Sequence, residues 1–197
     1  MKKSYIILIV IGLLVVISFL SIKGKYNSMV TKDEGVKTAW SQVENVYQRR
    51  ADLIPNLVNT VKGYAKHESE TLTKVVEARA KATGVNINAD NLNAETIKNF
   101  QNAQSGLSSA LSKLMVVVEK YPDLKANQNF LELQSQLEGT ENRITTERRR
   151  FNESAKEYNV YIRKFPNNIF AGMFGFEKTA YFEAEKGAEK VPDVNFE

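Results

Sequence analysis

The stretch VKTAWSQVENVYQRRADLIPNLVNTVKGY, residues 36–64, decides the fold, because its apolar side chains recur at alternating steps of four and three. This spacing is typical of one face of a long helix that packs against other helices. The pattern predicts one helix over about 28–81, with polar interruptions of its apolar face at Arg50, Glu68 and Thr71. The apolar positions on this face are Val36, Trp40, Val43, Tyr47, Ile54, Leu57, Val61, Tyr64 and Val75.

Pro55 lies inside this helical pattern. A proline removes the hydrogen bond to the carbonyl four residues earlier and bends the helix. Alternatively, a new helix begins near Asp52, with Pro55 in its first turn. The unbroken spacing across the segment favours a bent, continuous helix. We therefore predict a structural joint that comprises Arg49, Arg50, Asp52 and Pro55.

Arg50 occupies a position of the apolar face, where a guanidinium needs a carboxylate or carbonyl partner on a facing helix. We expect Arg50 or Arg49 to pair with Glu141 or Glu147. If such a pair fixes the alignment of the helices, exchange of the two charges should restore folding that the single changes impair.

The rest of the soluble part predicts two further long helices and a short fourth. Residues 83–95 are rich in Asn and read as a loop, with Asn93 as the N-cap of a helix that ends before Pro122. A third helix begins within 122–126 and ends near Lys164, and a short helix follows within 167–190. The predicted fold class is all-α: an N-terminal transmembrane helix followed by an elongated antiparallel up-and-down bundle of three long helices plus a short fourth.

The predicted helix lengths do not match. At 1.5 Å per residue the first helix would span about 80 Å and the second about 40 Å. Two explanations remain open: the fourth segment or another protomer covers Trp40, Val43 and Tyr47, or the first helix breaks near Asp52.

The N-terminus predicts a membrane anchor. Residues 4–22 are uncharged and lie between Lys2-Lys3 and Lys23-Lys25, and their number suits one bilayer crossing. A cleaved signal peptide is the alternative, but the small residues of a cleavage site are missing. The predicted division is an anchor over 1–25, a bundle over 26–190 and an extended tail over 191–197. Lysines near the span are more numerous on the bundle side, which favours a cytoplasmic bundle.

Composition argues against most catalytic and nucleic-acid-binding classes. The chain has 197 residues, a net charge of +4, no cysteine and one histidine, His67. Thiolate chemistry is excluded, and His67-Glu68 lacks the second histidine of a zinc-protease helix because Thr71 stands there. We therefore predict no enzyme activity, no cofactor and no metal site. Basic residues are interspersed with acidic ones, so we expect no nucleic-acid partner.

Two segments are candidate contact surfaces. One is the basic cluster Arg148, Arg149 and Arg150, which either pairs with nearby glutamates or binds an anionic partner. The other is the aromatic loop 165–176, which either caps the core or is exposed to a partner or a membrane surface. Its candidate contact residues are Phe170, Met173, Phe174 and Phe176.

The blocks AWSQVENVYQRRADLIPNLVNTVKGYAKHE, YPDLKANQNFLELQSQLEGTENRI, FNESAKEYNVYIRKFP and PDVNF resemble the LemA family of bacterial membrane proteins over about residues 24–196. The resemblance implies a single-span anchor, a helical bundle and an envelope location. It implies no catalytic residues, because the family's activity is unassigned. Some members are associated with membrane-organelle formation.

Two functional hypotheses follow from the sequence. The first is a scaffold or adaptor, anchored in the bacterial inner membrane, that acts by contact with an unidentified envelope protein, and homo-oligomers are compatible with it. The second is a protein that binds or shapes lipid surfaces with the basic cluster and the aromatic loop. In both, the bilayer is the partner of residues 4–22.

Overall fold

The computed structural model describes residues 2–183, with side chains from Tyr5 onward. The predicted all-α class is confirmed, and no strand occurs between residues 2 and 183. The predicted tail 191–197 and the last part of the predicted fourth helix lie outside the described residues. The helices are α1 Lys2–Tyr64, α2 Ser69–Gly84, α3 Ala94–Val118, α4 Pro122–Lys125, α5 Gln128–Arg163 and α6 Asn167–Phe174.

The predicted helix 28–81 is two helices, α1 and α2, joined by a turn at 65–68. Arg79 of α2 contacts the Ala51 carbonyl of α1, and both residues are equally far from Ala65 along the chain. The two helices therefore form an antiparallel hairpin. This arrangement buries Leu72 and Val75 of α2, which a straight helix would carry beyond the end of the bundle.

The helices α1, α2, α3 and α5 form an up-down-up-down bundle at the end farther from the N-terminal span. We call their shared apolar cluster the distal core. All four helices, together with α4, contribute to it, and the predicted first helix breaks at 65–68 and not near Asp52. Its buried members are Ile54, Leu57, Val61, Ala65, Leu72, Val75, Ala82, Leu107, Leu114, Val118, Leu124 and Phe130.

A second cluster, the proximal core, lies nearer the N-terminal span, where the loop 85–93 and the C-terminal residues 176–183 pack in place of α2. Trp40 is at its centre: its ring lies 5.3 Å from that of Phe100, 5.5 Å from Phe151 and 5.9 Å from Phe182. The C-terminal segment therefore covers Trp40. The buried members are Met29, Val36, Trp40, Val43, Tyr47, Leu92, Ile97, Phe100, Ile144, Phe151, Ala155, Tyr158, Ile162, Ala171 and Phe182.

The short fourth helix predicted from the sequence corresponds to α6 and is shorter than predicted. It ends at Phe174 because Gly175 adopts the left-handed conformation, with φ of 75°, and Phe176 N–H donates back to the Ala171 carbonyl. Residues 176–183 are not helical. An extended course carries Phe182 back along the bundle to Trp40, which a continued helix would not do.

The N-terminal part of α1 has no protein around it. Side chains 5–21 are all exposed, and the helix contains a segment long and apolar enough to cross a membrane. The first buried side chain of α1 is Met29, and the helix continues without a break to Tyr64. Within the described residues, one helix is thus both the candidate membrane span and the longest helix of the bundle.

Candidate functional site

A buried polar layer separates the distal from the proximal core. Its centre is Arg50, which is 2% exposed. Its Nη1 donates to Glu141 Oε2 at 3.0 Å and to Ser108 Oγ at 2.9 Å. Its Nη2 donates to Gln104 Oε1 at 2.7 Å, and its guanidinium lies 5.1 Å from the Tyr47 ring centroid. The expected pairing of Arg50 with Glu141 is present, whereas Glu147 pairs with Arg150 at 2.8 Å.

Gln104 extends this layer to a fourth helix. Its Nε2 donates to the Ala82 carbonyl of α2 at 3.2 Å, so one chain of hydrogen bonds links α5, α1, α3 and α2. Gln104 is the polar exception on the buried face of α3. The overlooked signal was that Arg50 and Gln104 are polar exceptions on two faces that pack together.

Pro55 affects the backbone of α1 at Ala51. Because Pro55 has no N–H, the Ala51 carbonyl loses its partner within the helix. Arg79 Nε donates to this carbonyl at 2.7 Å and satisfies it from α2. The helix continues through Pro55, as predicted. Arg49 and Asp52 are exposed and lie outside this contact.

The C-terminal segment 176–183 is held by two asparagines of α5. Asn159 Nδ2 donates to the Thr179 carbonyl at 2.8 Å, and its Oδ1 accepts from Thr179 N–H at 3.0 Å. Asn152 makes the same pair of bonds with Phe182, at 3.0 and 2.9 Å. The two asparagines are seven residues apart, two helical turns, and therefore lie on the same face of α5. Each asparagine side chain bonds both the N–H and the carbonyl of one residue in the segment, as the backbone of a neighbouring β-strand does.

The basic cluster contributes to this attachment. Arg148 Nη2 donates to the Glu183 carbonyl at 2.9 Å, and its guanidinium lies 4.9 Å from the Phe182 ring centroid. Arg150 pairs with Glu147, and Arg149 Nε lies 3.9 Å from Glu153. The paired-glutamate alternative is thus observed for Arg149 and Arg150, while Arg148 binds the chain's own C-terminal segment.

The aromatic loop lies at the other end of the proximal core, next to the candidate span. The Tyr26 ring lies 5.0 Å from that of Phe174 and 5.8 Å from that of Phe176, and Lys25 Nζ donates to Asn167 Oδ1 at 3.1 Å. Phe170 and Phe176 are half-buried against the core. Of the four candidate contact residues, Met173 is the one that projects fully from the bundle, at 71% exposure.

A polar cleft of about 390 Å³ lies beside this end, lined in part by Tyr26, Asp33, Lys37, Asp90 and Tyr158. Lys37 Nζ lies 2.6 Å from Asp90 Oδ1 and 3.1 Å from Asp33 Oδ2. These two carboxylates raise the pKa of Lys37. Burial raises the pKa of Tyr158 to about 12, and the charge of Asp33 adds to the shift. The pair with Asp90 attaches the loop 85–93 to α1.

His67 lies exposed in the turn between α1 and α2. Within the described part of the chain, no three or more His, Asp or Glu side chains cluster in a way that could hold a metal ion. The ion pairs of Arg50 with Glu141 and of Lys37 with Asp90 join secondary-structure elements to each other.

Comparison with known proteins shows which proteins this sequence resembles. Residues 39–196 match the LemA family. The chain is 31% identical to magnetosome protein MamQ 2 of Paramagnetospirillum magneticum over 207 aligned positions, which cover 95% of this chain and 75% of that protein. It is 29% identical to MamQ of Magnetospirillum gryphiswaldense, with the same coverage. It is 26% identical to protein LemA of Metamycoplasma hominis, over 83% of this chain and 71% of that protein.

Proposed function

Because the chain belongs to the LemA family, we propose that it is a membrane-anchored helical scaffold that acts by protein contact and not by catalysis. The observation that carries this proposal is the continuity of α1 from the candidate span to Tyr64. A continuous helix sets how far along its axis the bundle extends from the bilayer. The distal end would then stand about 60 Å from the span, at 1.5 Å per residue.

The distal end offers a surface for a protein partner. Large apolar side chains are exposed there on three helices, namely Val76 of α2, Val116 of α3 and Leu131 of α5. Val116 is the most exposed of them, at 67%. In this proposal these three side chains are the candidate contact positions of the distal end. The partner in this proposal is an envelope protein or a second copy of the chain.

Site-specific photo-crosslinking in cells tests the proposal. A photoreactive side chain replaces Val76, Val116 or Leu131 in turn, and exposed Asn45 in the middle of α1 serves as the control. We expect one recurring adduct from the distal positions and none from Asn45. An adduct of twice the chain mass would identify a homo-oligomer. Monomer alone at all three distal positions would contradict the proposal.

We place the anchor in the bacterial inner membrane, with the bundle in the cytoplasm. The lysine distribution supports this side, and the similarity to bacterial membrane proteins supports the compartment. The absence of native cysteine makes the test direct. A Val116→Cys chain should react with a membrane-impermeant maleimide only after lysis of the cells. Labelling in intact cells would place the bundle outside the cytoplasm.

The lipid-surface hypothesis from the sequence assigned lipid binding to both the basic cluster and the aromatic loop. Arg148 contacts Phe182, which stacks on Trp40, so Arg148 lies at the level of Trp40 along α1. Phe174 contacts Tyr26 and therefore lies at the level of Tyr26. These levels are about 21 Å apart along α1, at 1.5 Å per residue. The two groups therefore do not form a single face, and only the aromatic loop is near the span.

A further inference from the structure

We propose that the corner between α5 and α6 is a second membrane contact, in which Phe165, Ile169 and Met173 insert into the headgroup layer of the bilayer that α1 crosses. These side chains are 82%, 51% and 71% exposed. Ile169 and Met173 are four residues apart within α6 and therefore lie on the same side of this helix, and Phe165 lies in the turn that precedes it. The opposite side of α6 carries buried Asn167 and Ala171.

The position of α6 along α1 supports this proposal. Asn167 accepts a hydrogen bond from Lys25, three residues after the end of the uncharged segment 4–22. Three residues of helix rise about 4.5 Å. Each polar layer of a bilayer is about 5–7 Å thick, since the hydrocarbon core is about 30 Å and the whole bilayer about 40–45 Å. The start of α6 therefore lies within the depth of the headgroups.

The direction of the exposed face follows from the location of the core. Ala171 packs in the proximal core with Met29 and Ile162. Met29 lies beyond Lys25 on α1, farther from the span, and Ile162 precedes the corner on α5. The core is thus on the side of α6 that points away from the bilayer. In the proposed arrangement the opposite side, which carries Ile169 and Met173, faces the bilayer.

The charges around the corner fit an anionic lipid surface. Lys23, Arg163, Lys164 and Lys178 are all exposed around this end of the molecule. Basic residues next to an apolar insertion are attracted to anionic headgroups. Tyr26, between the span and the bundle, is of a residue type enriched at membrane interfaces. Both the apolar face and the basic residues around it therefore favour the bilayer as the partner of this surface.

This second contact goes beyond the scaffold proposal. A single span leaves a bundle free to rotate and tilt about its anchor. Insertion of Phe165, Ile169 and Met173 on one side of α1 would fix which faces of the bundle point along the membrane. The distal protein contact proposed above does not depend on this insertion, so each can fail without the other.

Spin labels on the full chain in lipid vesicles that contain anionic lipid test the inference. Single cysteines replace Phe165, Ile169 or Met173, and Val116→Cys at the distal end is the control. Collision rates with oxygen, which concentrates in lipid, and with a water-soluble nickel complex report the depth of each label. The emission of Trp40, the only tryptophan and fully buried, confirms that each labelled chain is folded.

We expect the ratio of oxygen to nickel collisions at 165, 169 and 173 to exceed that at 116 several-fold. Labels at these positions that collide with nickel as often as the label at 116 would overturn the inference. Protection from both reagents would also overturn it, because it would show that protein, such as a second copy of the chain, covers the face. Distal photo-crosslinking reads out the scaffold proposal separately.

Discussion

Arg79 donates a hydrogen bond of 2.7 Å to the carbonyl oxygen of Ala51, the acceptor that Pro55 leaves without an amide partner. The proline and the arginine are thus one feature, which joins α1 to α2. Buried carbonyl groups are rarely left unpaired in folded proteins. The bend-or-break question at Pro55 is answered by this contact from the neighbouring helix, which allows α1 to continue.

We predict that Arg79→Met lowers the free energy of unfolding by about 1 kcal/mol in the natural chain and by less in a Pro55→Ala background. In the second background the restored N–H of residue 55 donates to Ala51, so the arginine is no longer needed. Urea unfolding followed by Trp40 emission measures both values. Arg49→Met, at an exposed position, is the control. An equal loss in both backgrounds would show that Arg79 does not act through this carbonyl.

The polar layer predicts that loss of Glu141 destabilises the fold more when Arg50 is present than when Arg50 is replaced. Glu141→Ala should lower the free energy of unfolding by about 2–3 kcal/mol, because Arg50 stays buried without a carboxylate. In an Arg50→Met background the same change should cost little, since Glu141 is 54% exposed and solvent can hydrate it. Glu138→Ala, three residues earlier and exposed, is the control. Equal costs in the two backgrounds would mean that the pair is not coupled.

Exchange of the two charges, Arg50→Glu with Glu141→Arg, should not restore stability. Arg50 also donates to the backbone carbonyl and the side-chain oxygen of Gln104, at 3.3 and 2.7 Å. A glutamate at position 50 would place its carboxylate against these two acceptors. The sequence suggested that charge exchange would restore folding. We now expect no such rescue, because the pair is part of a larger hydrogen-bond network. Recovery of the natural urea midpoint in the double variant would refute it.

The attachment of residues 176–183 predicts that Phe182→Ala exposes Trp40. The change removes the ring stacked on Trp40 and should cost about 3 kcal/mol. Acrylamide should then quench Trp40 more strongly. Tyr181→Ala is the matched control, because Tyr181 precedes Phe182 in the chain and its own side chain is partly exposed. Unchanged quenching would show that the segment does not shield the core.

Asn159→Asp tests the attachment independently of the aromatic core. A carboxylate at 159 still accepts from Thr179 N–H but no longer donates to the Thr179 carbonyl and repels it. We expect faster amide hydrogen exchange in residues 176–183 and little change in the distal helices. Exchange that rises equally in both parts would indicate global destabilisation instead.

The sequence predicted the buried face of α1 well, because helical periodicity fixes which side chains share a face. Its positions from Val36 to Val61 are all buried, including Arg50. The break after Tyr64 was missed because 65–68 has no proline or glycine and Glu68 makes no side-chain cap bond. The polar exceptions Glu68 and Thr71 were its only signal.

The functional residues were predictable where side chain pairs with side chain. A buried guanidinium requires a carboxylate, so the pair of Arg50 with Glu141 was among the four pairings expected from the sequence. Arg79 and Asn159 pair with backbone groups, and sequence spacing does not mark such partners across helices. The exposed side of the α5–α6 corner was also missed in part, because the helix is short and its rotation is set by contacts of Phe174 with Tyr26.

The cleft beside α1 predicts a loss of stability at high pH to which Tyr158 contributes. Burial, with the charge of Asp33, raises its pKa to about 12, while Lys37 opposes the shift and Glu177 adds to it. The pKa of an unfolded tyrosine is about 10. The folded protein therefore binds the phenol proton more tightly, so this stability is complete below about pH 10 and declines as the pH rises toward 12.

Tyr158→Phe should make the free energy of unfolding fall less steeply above about pH 10, by up to about 1.4 kcal/mol per pH unit. Lys37, whose pKa is also raised, keeps its own alkaline contribution in both chains, so the difference between them isolates the phenol. Urea titrations at a series of pH values from neutral to about 11 measure it. Tyr181→Phe, at a more exposed position, controls for loss of any tyrosine. Parallel pH profiles for the natural chain and Tyr158→Phe would mean that the phenol ionises as readily in the folded as in the unfolded chain.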